Sequence, residues 1–348
     1  MLDFSGCQLT QLCVHRVGNK TNEEELHLSQ LPLDVSDKNL RRVLIQYFLT
    51  PFEETEMYHF TSSNEDFRLN PLYHFVSEMF ENRETLHDQS INMAKHLYEK
   101  ATHPNIKSGD LFVAFFEDMI IDDIRTEAIG IFKAENMQSF LKLNLTTDNF
   151  EIDYDDGINV NKLDKGCLVF NLGQSDGYRI SIVDKSNRLT EAQYWRDVFL
   201  DLKPCSDEFH QTKAFLNMAK SYIMKQLDEE FDVEKTDKID LLNRSVHYFR
   251  NHDSFNQAEF ETDVFYDEKV IASFRKYNEL HNGTDDVYID ESFEISPQAV
   301  KRQERAFKSV LKLDKNFHIY IHGDRNMIER GVDSDGRKFY KIYYDREQ

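Results

Sequence analysis

Asp110-Leu-Phe-Val-Ala-Phe-Phe-Glu-Asp118 and Ile124-Arg-Thr-Glu-Ala-Ile-Gly-Ile-Phe-Lys133 are the stretches that decide the fold class. Both are rich in aromatic and branched apolar residues, and only Met119–Asp123 lies between them. Runs of this kind joined by so short a link read as the two strands of an antiparallel hairpin. The same texture continues in Gln138–Leu145, Phe150–Tyr154, Cys167–Asn171 and Tyr178–Val183. Asp155-Asp156-Gly157 and Gly173-Gln-Ser-Asp-Gly177 punctuate the runs with turn residues. The links are too short for crossover helices, so the expected arrangement is an antiparallel meander.

Upstream, Gln8–Val17 and Glu25–Leu33 carry apolar residues often enough to form a pair of strands. Ser36 or Asp37 can cap a helix in which Leu40, Val43, Leu44 and Tyr47 fall at helical spacing, ending near Pro51. Residues 72–101 read as two helices. Leu72, Phe75, Val76, Met79 and Phe80 form the first stripe, and Leu86, Ile91, Ala94, Leu97 and Tyr98 the second.

Downstream, Tyr194–His281 is helical in pattern: Phe209–Leu227, Asp237–Arg250 and Val264–Leu280 each carry an apolar stripe. Ser296-Pro297 can open a further helix to about Leu311. Phe317–His322, Met327–Gly331 and Lys338–Tyr344 close the chain as strands, with Asp335-Gly336 as a hairpin turn. The expectation is an α+β fold with hairpins in the N-terminal half, a helical middle and a β-rich end. The expected segments are 1–190, 191–296 and 297–348.

The chain has 348 residues, 40% of them hydrophobic, with 27 Phe and 16 Tyr. That is enough apolar mass for a substantial core, and it argues against disorder. No run approaches the ~20 apolar residues of a membrane span. Met1–Ser5 lacks the basic and apolar regions of a secretory leader, so none is expected and the reading is cytoplasmic. Cys7, Cys13, Cys167 and Cys205 lack paired metal-ligand spacing and read as free thiols.

The net charge is −21, and it is unevenly spread. Residues 301–348 hold 12 Lys+Arg against 8 Asp+Glu, while residues 1–300 hold 30 against 55. The acidic part repels nucleic acid at long range, so any DNA contact has to be local or made through a partner. On the helix expected after Pro297, Lys301, Arg305, Lys308 and Lys312 follow spacings of four, three and four, which puts them on one face. Arg325, Arg330, Arg337, Lys338 and Lys341 flank the terminal strands. A basic helix face beside a basic ribbon can grip phosphates. Lys185 and Arg188 form a second, smaller basic group after Tyr178–Val183.

Motifs for phosphate cradles, dinucleotides, zinc peptidases and serine hydrolases are absent from the sequence. No cofactor is expected. Asp153, Asp155 and Asp156 at a strand end are the alternative, as carboxylates for a divalent metal in a nuclease. His318 and His322 share one side of a strand, with Asp324 as their near neighbour.

In order along the chain, several segments resemble the bacterial nucleoid-associated, NdpA-like family. They are the opening strand Cys7–Val17, the double-strand block Leu111–Phe132 and the Asp-bearing strand Phe150–Asp155. Next comes Ile180-Ser-Ile-Val-Asp-Lys185, then Arg188 and the aromatic Trp195-Arg-Asp-Val-Phe199. Glu291-Ser292-Phe293 and the β-rich end Phe317–Tyr344 complete the likeness. Lys185, Arg188, Trp195 and Phe199 are the matching positions. Leu202-Lys203-Pro204 stands where the family shows Leu-Gly.

The resemblance implies a non-enzymatic protein of the nucleoid. Such a protein would bind DNA non-specifically or act through a DNA-handling partner such as a type II topoisomerase. An acidic DNA mimic that occupies a partner's groove is a further alternative. Expected partners are therefore DNA or a DNA-bound protein, with no membrane; a homodimer is compatible with all of this.

Overall fold

Thirteen-residue β5 (Gly109–Ile121) and β6 (Ile124–Ala134) form the expected hairpin, with Val113 opposite Ile131 and Phe115 opposite Ile129. Asp122 and Asp123, both at positive φ, make the two-residue turn between them. Paired left-handed residues match the twist of a tight hairpin, and Asp tolerates that conformation better than most side chains. The computed structural model describes residues 2–52, 56–147, 149–185, 194–282, 288–304, 307, 310–313, 317–320, 327–344 and 346. The chain divides into two units, Met1–Cys205 and Ser206–Gln348.

In the first unit the other strands are β1 (Leu2–Asp3), β2 (Gln8–Val17), β3 (Leu26–Leu28) and β4 (Met57–Phe60). After the hairpin come β7 (Met137–Leu145), β8 (Phe150–Ile158), β9 (Lys165–Phe170), β10 (Arg179–Asp184) and β11 (Leu202–Pro204). The sheet runs in the order β11-β4-β10-β9-β6-β5-β2-β3, with β1 also beside β5, and every pairing is antiparallel.

The expected meander is interrupted between β6 and β9. Gln138–Leu145 and Phe150–Tyr154 do not continue the meander. Strands β7 and β8 pair only with each other, and β6 pairs directly with β9. Strand β9 is buried at every position, whereas β7 is exposed throughout. A strand that alternates apolar and polar residues suits an edge or a ribbon, while a run apolar on both sides belongs at the centre.

Period-two alternation splits the central strands between two cores. Leu111, Val113, Phe115, Ile129, Ile131, Cys167 and Val169 face one side. Phe112, Ala114, Phe116, Ala128, Phe132, Leu168 and Phe170 face the other. Helices α2 (Pro71–Glu81) and α3 (Leu86–Lys100) cover the first face through Leu72, Val76, Met79, Met93 and Leu97. Helix α1 (Lys38–Leu49) and Phe52 cover the second, where Phe48 stacks on Phe132 at 4.3 Å. Asp37 caps α1, and Asn70 caps α2 just before Pro71. The Asn70 amide also donates to the carbonyls of Thr61 and Leu200, which ties α2 to the segment around β11.

Trp195 and Phe199 lie in a π-helical turn, Tyr194–Leu200. Both are fully buried in the first core, with ring centroids 4.9 Å apart. The Trp195 indole N–H donates to the Gly166 carbonyl at 3.4 Å.

In the second unit, α4 (Glu208–Ser221) continues through a π turn at Tyr222–Gln226. It is followed by α5 (Lys235–Asn251), α6 (Gln257–Phe265), α7 (Glu268–His281) and α8 (Pro297–Glu304). Phe215 is the hub, with Phe255 and Phe260 rings at 4.2 and 4.8 Å. The helix expected over Val264–Leu280 is really two. Tyr266 at φ 57° breaks it, and Asp267 caps α7. Strands β12 (Ser254–Asn256) and β13 (Ser292–Glu294) pair so that Phe255 stacks on Phe293. Strands β14 (Val310–Leu313) and β15 (Phe317–Tyr320) form one hairpin, and β16 (Ile328–Val332) and β17 (Lys338–Ile342) another. Leu313, Ile319, Ile328 and Tyr340 pack around Ile239 of α5.

His15 on β2 is buried in a chain of hydrogen bonds. The Ser29 backbone N–H donates to its Nδ1 at 3.1 Å, so Nδ1 carries no proton. Its Nε2 therefore donates to Ser90 Oγ at 2.8 Å, and that hydroxyl donates to the His87 carbonyl. Burial, helped by neighbouring His87, pushes the His15 pKa down to about 4.

This packing sets two responses, one to truncation and one to acid. Replacing Trp195 with Ala removes a fully buried ring and costs about 3–5 kcal/mol, read as a lowered urea midpoint. The second concerns acid. An unfolded imidazole titrates near 6.5 and His15 near 4, so between those values the unfolded chain binds the extra proton. Stability is therefore full above pH 6.5 and falls as the pH drops toward 4, by at most roughly 3 kcal/mol from this group. Denaturant unfolding across that range should show a shallower loss in His15→Gln than in the parent protein.

Candidate nucleic-acid interface

Lys185 follows β10 and is exposed. Its backbone N–H donates to the Asp164 carbonyl at 3.0 Å. Behind it lies a buried ionic cluster that sequence reading missed. Lys133 and Lys165 are neighbours across β6 and β9, and both are buried. Lys133 Nζ donates to Glu135 at 2.9 Å and to the Lys107 carbonyl at 2.6 Å. Lys165 Nζ donates to both oxygens of Asp184 at 3.1 Å. Asp164 accepts from the backbone N–H groups of Glu135 and Asn136 and from the Asn136 amide.

Burial pushes the Lys133 amine below the usual lysine range, and Glu135 opposes that push. A buried ammonium persists only where a carboxylate and further acceptors replace its water. These cations are committed internally. The cluster anchors the ends of β6, β9 and β10, and it therefore places Lys185. The signal in the sequence was the charged pattern Lys133, Glu135, Asp164, Lys165 and Asp184 at the ends of apolar strands. Arg188 lies outside the described residues.

The basic helix face expected after Pro297 is corrected by the fold. Helix α8 ends at Glu304, and Lys312 sits on β14. Ser296 and Pro297 start the helix as expected, with the Ala299 N–H reaching Ser296 Oγ. The β-rich sequence from Val310 onward pairs with Phe317–Tyr320 and takes the chain out of helical conformation. Lys301 is exposed on α8, whereas Arg305, Lys308 and Arg325 lie outside the described residues.

The terminal hairpin carries the rest of the candidate cations. Arg330 ion-pairs with Glu234 at 3.6 Å. Lys341 ion-pairs with cross-strand Glu329 at 3.9 Å and lies over the Tyr343 ring. Arg337 and Lys338 are exposed and make no ion pair among the described residues. Arg337 sits in the turn, where its backbone N–H donates to Asp333. Two of these four cations are therefore matched by the protein's own carboxylates. His318 on β15 is exposed, and its expected companions His322 and Asp324 are outside the described residues.

The three aspartates weighed as metal ligands all lie on β8. Asp153 and Asp155 point to one face of the ribbon, and Asp156 to the other. Asp155 ion-pairs with Lys142 at 2.5 Å, which holds its carboxyl below the usual range. Asp156 accepts from Ser139 Oγ instead. The only grouping of three metal-capable side chains among the described residues is His252, Glu259 and Asp263. All four cysteines are free, and burial pushes the Cys7 thiol up to about 12, so it is not a thiolate nucleophile at neutral pH. Among the described residues no helix is long and apolar enough to cross a membrane.

Comparison with known proteins adds one strong match. The family model described as nucleoid-associated protein YejK matches residues 13–348. No curated protein matches the chain. The matched span starts within β2 and runs through both units, so the likeness is to the whole architecture and not to one motif. The chain belongs to the nucleoid-associated protein YejK family.

Proposed function

We propose that this protein is a non-enzymatic, cytoplasmic component of the nucleoid that reaches DNA chiefly by holding a DNA-handling protein such as a type II topoisomerase. Membership of a nucleoid-associated family carries the association itself. The observation that favours the indirect route is the internal matching of cations on a chain of net charge −21. Arg330 and Lys341 are paired on the terminal hairpin, and Lys133 and Lys165 are sealed in the sheet. Of the candidate cations whose side chains are described, Lys185, Lys301, Arg337 and Lys338 make no ion pair among the described residues, the last three in the second unit. An interface built on these few contacts binds duplex weakly and with a shallow salt dependence.

The direct component is measured by fluorescence anisotropy with a short duplex. Three phosphate contacts give a slope of about −2.7 in log affinity against log salt, or roughly a 40-fold loss between about 50 and 200 mM. The combined Lys301→Glu, Arg337→Glu and Lys338→Glu variant should abolish the remaining binding. An unchanged slope in that variant removes these residues from the interface. The indirect component is measured by affinity capture from nuclease-treated extract. A topoisomerase should stay bound after the DNA is digested, and its release on digestion would rule out the protein-held route.

A further inference from the structure

Strands β7 and β8 leave the sheet as a two-stranded arm, one face of which is apolar toward its tip, with Ser139 and Asp156 nearer the base. The register places Leu141 opposite Tyr154, Leu143 opposite Ile152 and Leu145 opposite Phe150. Alternation puts all six on the same side of the ribbon. Each is between 67% and 76% exposed. The opposite side is polar: Lys142 and Asn144 sit there with Glu151, Asp153 and Asp155, and Phe140 packs over Gly157.

An isolated two-stranded ribbon is marginal in water unless something covers its apolar face. Soluble monomers rarely leave a contiguous apolar patch of this size open. We propose that this face is an interface between two copies of the chain, which pair arm against arm about a two-fold axis.

Three observations select a second copy as the occupant. The first is area. At on the order of 150–200 Å² for a large apolar side chain, the six residues offer roughly 600–800 Å² per copy. Two copies then bury about 1,200–1,600 Å², the range of a specific interface. The second is charge. The flanking face carries three carboxylates against Lys142, which repels DNA and anionic lipid, so neither covers the arm. Apolar pairing leaves every one of those charges in water. The third is shape. One strand presents three leucines and the other presents Phe150, Ile152 and Tyr154. A two-fold axis through the centre of the face sets the leucine strand of each copy against the larger side chains of its partner. An isologous contact needs such a self-complementary surface.

The test is the mass of the full-length protein in solution, by sedimentation equilibrium and light scattering at micromolar concentration. A dimer is expected. Leu143→Lys, at the centre of the face, should shift it to monomer with unchanged circular dichroism, since the arm lies outside the sheet. Lys142→Glu on the opposite face should remain dimeric. As a second readout, a mixture of Leu143→Cys and Ile152→Cys proteins should form an intermolecular disulfide under mild oxidation while the parent protein does not, because the pairing sets Leu143 of one copy against Ile152 of the other. A monomeric parent protein, or a Leu143→Lys protein that stays dimeric and a Leu143→Cys/Ile152→Cys mixture that fails to cross-link, overturns the proposal.

Discussion

The central strands of the first unit are apolar on both sides, and the rest of that unit answers this one constraint. Strands β5, β6 and β9 cannot meet water on either face. One face takes α2, α3 and the Trp195 turn, and the other takes α1 and Phe52. The order of elements along the chain follows from that need. Helices from the N-terminal third must be in place over both faces, and Trp195 must return from beyond β10 to finish the first core. Antiparallel sheets often leave one face solvated, whereas this one is the middle layer of three.

Burying the sheet on both sides creates a difficulty where the strands end, because charged residues there are carried into the interior. Lys133 and Lys165 lie next to each other, and neither could remain charged alone. Glu135, Asp164 and Asp184 resolve this locally with a closed set of hydrogen bonds. The same residues sit where the arm departs and where the Lys185 segment begins. A structural solution to burial thus also sets the position of the β7–β8 arm and of Lys185.

Local patterns made much of this legible. The Asp110–Lys133 hairpin, the cap at Asp37 and the start of α8 at Pro297 rest on short-range rules, and the chain obeys them. What short-range rules do not carry is which strands become neighbours. Strands β7 and β8 read as sheet members because their composition is strand-like, yet their one-sided alternation excludes them from a layer buried on both faces. The basic helix face failed for a related reason. A four-three-four spacing of cations describes a helix face only if the backbone is helical, and β pairing after Glu304 overrides it. The pairing of Arg330 with Glu234 links residues far apart in sequence, so charge counting along the chain could not reveal it.

The pairing of β2 with β5 has a consequence for how the protein is made. Gln8 meets Glu117 and Val17 meets Gly109, so about a hundred residues of chain separate the partners. At a synthesis rate of ~5–20 residues per second, β2 leaves the ribosome roughly 5–20 s before β5 exists. In that interval Leu9, Leu12, Cys13 and Val14 have no strand to lie against; β3 pairs only with His15–Val17. The hairpin of β5 and β6, by contrast, can close within microseconds once both strands have emerged. The nascent chain thus displays an unpaired apolar strand for many seconds, and its sheet is finished only after β9, β10 and β11 have followed.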